Sequence, residues 1–347
     1  KIIMKSRNIL ILGLVVILIF TLGNLALADK VKVIMVTDTA GLGDKSFNDS
    51  VWAGIEKAKK DLGIETKVIE SREMADYIPN LTGAIKDGAN IVVGVGFLMI
   101  DAMAEVAPKY PDTKFIFIDA AVDSPNVAGC IFNEQEIGFL SGAFMGMMTK
   151  TGTVGWVGGM FIPPVERFEV GVRAGLLTVN SLFNTDVDIK IGYVGSFEDV
   201  PKAKSMTLTQ MGQSADIVFA GGGTNTLGIF EAAKEKGEGF YAIGVDQDQD
   251  YIQPGSILTS AMKRVDVAVY KIIEAYIKGE FKGGVHSMGL EGDFLSLSPM
   301  NYTKHLVPYH VFGVLEALRE AVVKGKIKLP TTQDELKEFK APISLVF

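Results

Sequence analysis

Four side chains able to hold a small organic molecule fall within eleven residues, Asp38-Thr-Ala-Gly-Leu-Gly-Asp44-Lys-Ser-Phe47-Asn48. Carboxylates accept hydrogen bonds from hydroxyl and N–H groups. An amide both donates and accepts, which suits the edge of a purine ring. Phe47 offers a flat face for stacking, worth roughly 1–3 kcal/mol per base. Plainer uses stay open: Asp38 can hold the loop, Asp44 and Asn48 can serve the first turn of a helix, and Phe47 can fill a loop. Ser46-Phe47 recurs as Ser196-Phe197 in the other half of the chain. Two such rings on facing lobes would sandwich a planar base.

Further candidates stand at the ends of apolar runs. Phe115-Ile-Phe-Ile118 leads into Asp119, and Ala242-Ile-Gly-Val245 leads into Asp246. A carboxylate just past a buried strand is placed to accept ribose hydroxyls or base N–H groups, and such charge-assisted bonds are the stronger kind. Its other use is to cap the next segment. Asp248 reads as a turn or cap residue. Gly221-Gly-Gly223 follows another apolar run, where glycine lets backbone approach a ligand; an N–H near Gly223 is the expected ribose contact, and Asn225 a cap for the next helix. Lys263 can donate to a ribose hydroxyl and pair with Asp246, or lie solvated as most lysines do. Arg264 should point elsewhere. Phe161-Ile-Pro-Pro164 reads as a rigid loop at a cleft mouth.

Other chemistries lack their residues. The three histidines, His286, His305 and His310, fall late in the chain, and Cys130 is the only cysteine. There is no H-E-x-x-H, no G-x-S-x-G and no phosphate-loop signature. No metal, no cofactor and no nucleophilic catalysis are expected.

These residues must be positioned by the segments around them. Strand-like runs cover Val31–Val36, Thr66–Glu70, Ile91–Val95, Phe115–Ile118 and Val127–Phe132, then Val154–Gly158, Asp188–Val194, Ile217–Ala220, Tyr241–Val245 and Ile257–Ala261. Helical spacing marks Asn48–Leu62, Tyr77–Asp87, Leu98–Ala107, Val165–Val179, Lys202–Gln213, Leu227–Glu235, Val265–Lys278, Tyr309–Lys324 and Thr332–Phe339. The first helix should start near Ser46, with Asp49 as a capping-box carboxylate. Strands alternating with helices give parallel sheets with right-handed crossovers. The rhythm repeats, so the expected fold is an α/β clamshell of two doubly wound parallel-sheet lobes joined by hinge crossings. One lobe takes residues 29–132 and 260–288, the other 133–259 and 289–347. Ligands of such sheets bind beyond the carboxyl ends of the strands, here the cleft between the lobes.

A formal charge of −7 argues against nucleic acid as partner, since phosphate neutralisation needs a basic surface. Lys1, Lys5 and Arg7 precede the apolar stretch Ile9–Phe20, and Ala26-Leu27-Ala28 follows. That is the layout of a signal peptide over residues 1–28, although about 20 apolar residues also suffice for a membrane anchor. Either way the chain is expected to be exported, to the periplasm or the outer face of the cell membrane. Cys130 lies far from that junction, so a lipidated signal cysteine is not expected; it reads as a small buried residue on a strand. A monomer is expected.

The ordered set D-x-x-G-x-x-D-x-S-F-N at Asp38–Asn48, Phe-Ile-Asp119, Phe132-x-Glu134-x-x-x-Gly138-Phe139, Gly221-Gly-Gly223, Ile-Gly-Val-Asp246-x-Asp248 and Leu-Thr-Ser260-x-x-Lys263 resembles the basic membrane protein family. These are nucleoside-binding, type I periplasmic-binding-protein-like proteins of bacterial ABC importers. The resemblance spans nearly all the chain after residue 29. It implies capture of a purine nucleoside, with ABC permease and ATPase subunits as partners and no catalysis. It also implies ligand contacts by Asp38, Phe47, Asn48, Asp119, Phe197, Gly223, Asp246 and Lys263, the lysine chiefly because the family has one at this place in the motif. A sugar or other small polar metabolite, or a nucleoside-cleaving enzyme on the same scaffold, are the alternatives the residues leave open.

Overall fold

The computed structural model describes residues 30–344, so the expected leader or anchor lies outside the described residues. Twelve strands form two sheets of six. The strands are β1 (Lys32–Val36), β2 (Glu65–Ile69), β3 (Ile91–Val95), β4 (Lys114–Ile118), β5 (Val127–Phe132), β6 (Thr153–Gly158), β7 (Asp188–Tyr193), β8 (Ile217–Gly221), β9 (Tyr241–Asp246), β10 (Ile257–Lys263), β11 (Gly284–Met288) and β12 (Leu295–Leu297). The first sheet has the order β2-β1-β3-β4-β5-β11 and the second β7-β6-β8-β9-β10-β12. Every pair is parallel except β10 with β12. The central strands are short, β-branched and buried on both faces, as parallel sheets with helices on either side require.

The helices are α1 (Phe47–Leu62), α2 (Tyr77–Lys86), α3 (Ile100–Val106), α4 (Glu134–Met148), α5 (Pro163–Phe183), α6 (Val200–Gly212), α7 (Asn225–Lys236), α8 (Val265–Ile277), α9 (Tyr309–Val323) and α10 (Gln333–Glu338). Strands β1 to β5 and β6 to β10 occupy the same places in their sheets. The doubly wound, two-lobed architecture is therefore as expected. The crossings fall after β5, after β10, and between β11 and β12. Residues 260–263, expected in the first lobe, continue β10 and pair in the second sheet, so that crossing comes after Lys263. Among the described residues no helix is long and apolar enough to cross a membrane.

Helix α4 has no counterpart in the periodicity of the sequence. Its residues from Ile137 to Gly146 are buried on every side, so no polar face marks it as a helix. Glycines let it meet α5 backbone to backbone. A Cβ added at Gly142 would stand 2.0 Å from the Val172 carbonyl oxygen, and one at Gly175 would stand 2.2 Å from that of Phe139. Gly138 and Gly171 face the Phe168 and Gln135 carbonyls at 2.4 Å in the same way. This close approach brings the first residue of α4, Glu134, to Arg167 on α5, with Arg167 Nε 2.6 Å from Glu134 Oε2.

Neither backbone can yield alone, so overpacking here should cost about 1–3 kcal/mol or more. Gly142→Ala and Gly175→Ala are each expected to lower the urea midpoint by that equivalent. Gly83→Ala, in α2 with nothing within 4 Å of the added carbon, should leave the midpoint unchanged or raise it slightly. Equal midpoints for all three variants would contradict a glycine-dependent helix contact.

Candidate ligand-binding site

The loop after β1 is organised by its own acids. Asp44 caps α1: its oxygens accept from the backbone N–H groups of Ser46, Asn48 and Asp49 at 2.9, 2.8 and 3.1 Å. The expected capping carboxylate, Asp49, instead reaches back to the N–H groups of Gly43 and Lys45. Asn48 is buried, and its amide donates to Asp38 Oδ1 at 2.7 Å and Asp44 Oδ2 at 3.1 Å. Both of its N–H bonds are thereby used inside the loop. Asp38 Oδ2 has no protein donor among the described residues. The Ser46 hydroxyl crosses to the other lobe and donates to Asp246 Oδ2 at 2.5 Å.

Asp119 follows β4 and Asp246 ends β9, the same place in the two sheets. Both have positive φ, 71° and 68°, a conformation that Asp and Asn tolerate better than most residues. Lys263, at the end of β10, donates to Asp119 Oδ2 at 2.7 Å and to Glu134 Oε1 at 2.8 Å. The direct pairing of Lys263 with Asp246 expected from the sequence is not formed; Glu134, nearer along the first crossing, takes that bond. Burial works against the Lys263 ammonium, but Asp119, Glu134 and Asp246 together push its pKa up to about 12. Phe47 and Phe132, each with the ring centroid 5.1 Å from Nζ, wall it in. Arg264 turns away to Asp266.

In the second lobe Phe197 follows β7 and rests on glycine. A Cβ at Gly159 would lie 2.3 Å from its Cδ1, and one at Gly223 2.7 Å from its Cβ. The sequence marks Asn225 as a cap for α7. It is the first residue of that helix, and its amide donates to the Ser196 carbonyl at 2.5 Å while its backbone N–H reaches the Phe197 carbonyl at 3.2 Å. Asn225 therefore fixes the loop that carries Phe197. Asp248 accepts from the Asp250 backbone N–H in a turn.

All eight residues singled out from the sequence, Asp38, Phe47, Asn48, Asp119, Phe197, Gly223, Asp246 and Lys263, line one cavity between the lobes. Ile162 and Pro164, from the expected mouth loop, also line it, while Phe161 stays outside against Tyr193. Sequence reasoning missed Phe97 and Phe168, which add aromatic wall, and the supports Glu134 and Gln249. Phe168 lies within the apolar stripe of α5 and carries no local signal. Glu134 stood in the motif Phe132-x-Glu134 without an assigned role. Among the described residues no cluster of side chains fits a metal ion.

The acids outnumber the cations here. Burial raises the pKa of Asp38 to about 7 against its hydrogen bond from Asn48, and raises that of Asp246 to about 7 against Lys263 and Ser46. Burial also raises Asp44 and Asp119. The cavity is thus an acceptor-rich, aromatic-walled slot, suited to a flat molecule rich in N–H and O–H donors.

Residues 31–330 match the sequence profile of a family described as ABC transporter substrate-binding protein PnrA-like. An uncharacterised lipoprotein of Pyrococcus horikoshii is 31% identical over 351 residues, covering 89% of this chain and 86% of its own. The ABC transporter nucleoside-binding protein BmpA of Lactococcus lactis subsp. cremoris is 29% identical over 321 residues, covering 86% and 89%. A crystal structure of an ABC transporter solute-binding protein from Aeropyrum pernix K1 matches with a TM-score of 0.82 at 30% identity, over 89% of this chain and 96% of that one.

The carboxylates make the empty protein sensitive to pH. An Asp held near 7 when folded and near 3.8 when unfolded keeps its proton longer in the fold. Its stabilising effect is complete below about pH 4 and lost as pH rises to 7, at up to about 1.4 kcal/mol per pH unit for each group. Urea midpoints of the ligand-free protein should fall between pH 5 and 7.5, and Asp246→Asn should flatten that fall. A midpoint that rises over this window would contradict buried, protonated acids.

Proposed function

Because the chain belongs to the family of PnrA-like ABC transporter substrate-binding proteins, we propose that its cleft captures a nucleoside, above all a purine nucleoside, outside the cell membrane and delivers it to an ABC permease with its ATPase. The observation that carries this reading is the meeting, in one cavity, of Phe rings from both lobes with carboxylates and a lysine. A nucleoside has a flat face for the first and a row of hydroxyl donors for the second. The likeness to a relative named for nucleoside binding supports the same ligand class.

In this reading the base lies between Phe47 and Phe197. Its N–H edge turns to Asp38 Oδ2, the oxygen left open by the loop, with Asn48 holding that carboxylate in place. The ribose lies toward Asp246, Lys263 and the Gly223 backbone. Lys263 Nζ is 5.1 Å from the Phe47 centroid, so a sugar bonded to the lysine leaves its base beside that ring. Asp119 acts mainly by fixing Lys263. Removing a buried polar contact of this kind costs on the order of 1–3 kcal/mol. Export, without a lipidated cysteine at the leader junction, belongs to this proposal.

Calorimetric titration tests it, using protein unfolded and refolded to strip carried-over ligand. Guanosine and inosine should bind one to one, with ribose silent. Silence with every nucleoside would overturn the ligand class, and release of free base from inosine, followed by chromatography, would overturn a binding role. Asp246→Asn keeps the backbone conformation and should weaken inosine binding at least tenfold, about 1.4 kcal/mol. Gly159→Ala drives a carbon into the Phe197 ring. It should also weaken binding while the thermal midpoint of the empty protein stays near wild type, and unchanged affinity would take Phe197 out of the site.

A further inference from the structure

Glu134 is fully buried and does not border the cavity, yet both its oxygens are engaged. Oε1 accepts from Lys263 Nζ at 2.8 Å and Oε2 from Arg167 Nε at 2.6 Å. It opens α4, where the helix dipole favours a negative charge. An ammonium has three N–H bonds in tetrahedral array. Lys263 Nζ sits across the Asp119 carboxylate, 2.6 Å from Oδ1 and 2.7 Å from Oδ2, and 2.8 Å from Glu134 Oε1; one N–H shared by the two Asp119 oxygens and one given to Glu134 fix the direction of the third. Because Lys263 itself borders the cavity, that third bond is the one available to a ligand.

We propose that Glu134 is a positioning residue for ligand binding: it aims the free N–H of Lys263 at a sugar hydroxyl, and Arg167 aims Glu134. This rests on the nucleoside reading above. Without Glu134 the ammonium gains a second unpaired N–H, and Asp246, which also attracts it and lines the same cavity, is a carboxylate it can turn to. A lysine that turned to Asp246 would spend both the donor and the acceptor needed by the ribose. A glutamine at this position still accepts from Lys263, but its amide then presents N–H to the Arg167 N–H, so one of the two contacts must break.

A double-mutant cycle measured by calorimetry separates positioning from general support. Inosine affinity is measured for wild type, Glu134→Gln, Lys263→Met and the double variant, with Arg167→Met as a second route to the same effect should Glu134→Gln fold poorly. Glu134→Gln should weaken inosine binding about tenfold in the wild-type background and cause little further loss beside Lys263→Met. 2′-Deoxyinosine and 3′-deoxyinosine sharpen the result: the analogue lacking the hydroxyl that faces Lys263 should be nearly insensitive to Glu134→Gln. Additive losses, or equal losses for all three ligands, would show that Glu134 merely supports the fold. If wild type ignores inosine and guanosine alike, the nucleoside reading falls and this inference with it; if wild type binds and the losses add, only this inference falls.

Discussion

A charged lysine with 2% of its side chain exposed is the point on which the two lobes converge. An unpaired ammonium so deeply placed would cost several kcal/mol. Its presence therefore fixes where the surrounding acids must be. Asp119 comes from the end of β4 in the first lobe, Glu134 from the first crossing, and Lys263 itself from the end of β10 in the second sheet. The glycine contact between α4 and α5 belongs to the same requirement, since it sets Glu134 against Arg167. Phenylalanine rings around the ammonium add a weaker attraction and exclude water.

The repeated sheet explains why acids appear on both walls and a cation on only one. The turns after β3 and β8 carry Gly96 and Gly222 at φ 95° and 101°, and those after β4 and β9 carry Asp119 and Asp246, also at positive φ. Glycine accepts such a turn freely, whereas an aspartate there costs about 1–2 kcal/mol. Strain of this kind is retained where a side chain is needed. The ends of β5 and β10 break the symmetry: Phe132 closes one and Lys263 the other. The resulting slot has unlike ends, so it can hold a molecule with an aromatic part and a hydroxylated part in one orientation.

Much of this was legible in the chain because it is local. Short β-branched runs such as Ile91–Val95 announce buried parallel strands, and residues just past them must face the cleft whatever the details. That rule puts Asp119, Gly223, Asp246 and Lys263 at strand ends, and all four line one cavity. What stayed hidden is non-local or lacks contrast. Helix α4 is buried on every side from Ile137 to Gly146, and the edge strand β11 leaves Val285 exposed, so neither shows the alternation that marks its type. The bonding partners were hidden for another reason. Ser46 reads as a helix cap, and only the fold brings it to Asp246, 200 residues on; Lys263 reads as a partner of Asp246, and only the start of α4 offers Glu134 instead.

Under the proposed function, closure and capture meet on a single carboxylate. The lobes are joined by Ser46 Oγ to Asp246 Oδ2 and by Gln249 Nε2 to the Lys45 carbonyl at 2.7 Å. Gln249 is rigid, because its Oε1 accepts from the Val245 N–H and its own N–H is held by Ser260 Oγ. The protein thus supplies lobe-to-lobe bonds of its own, and a ligand need not bridge the cleft alone. Asp246 borders the cavity; its Oδ1 has no protein donor among the described residues, while Oδ2 holds the lobes together. Under the proposed function, a donor from the ligand at Oδ1 would satisfy a buried acid that otherwise keeps its proton. It does so only where Ser46 has already brought the first lobe across. In that reading each bond to Asp246 would lower the cost of the other, so filling the slot and shutting it would reinforce one another through the same side chain.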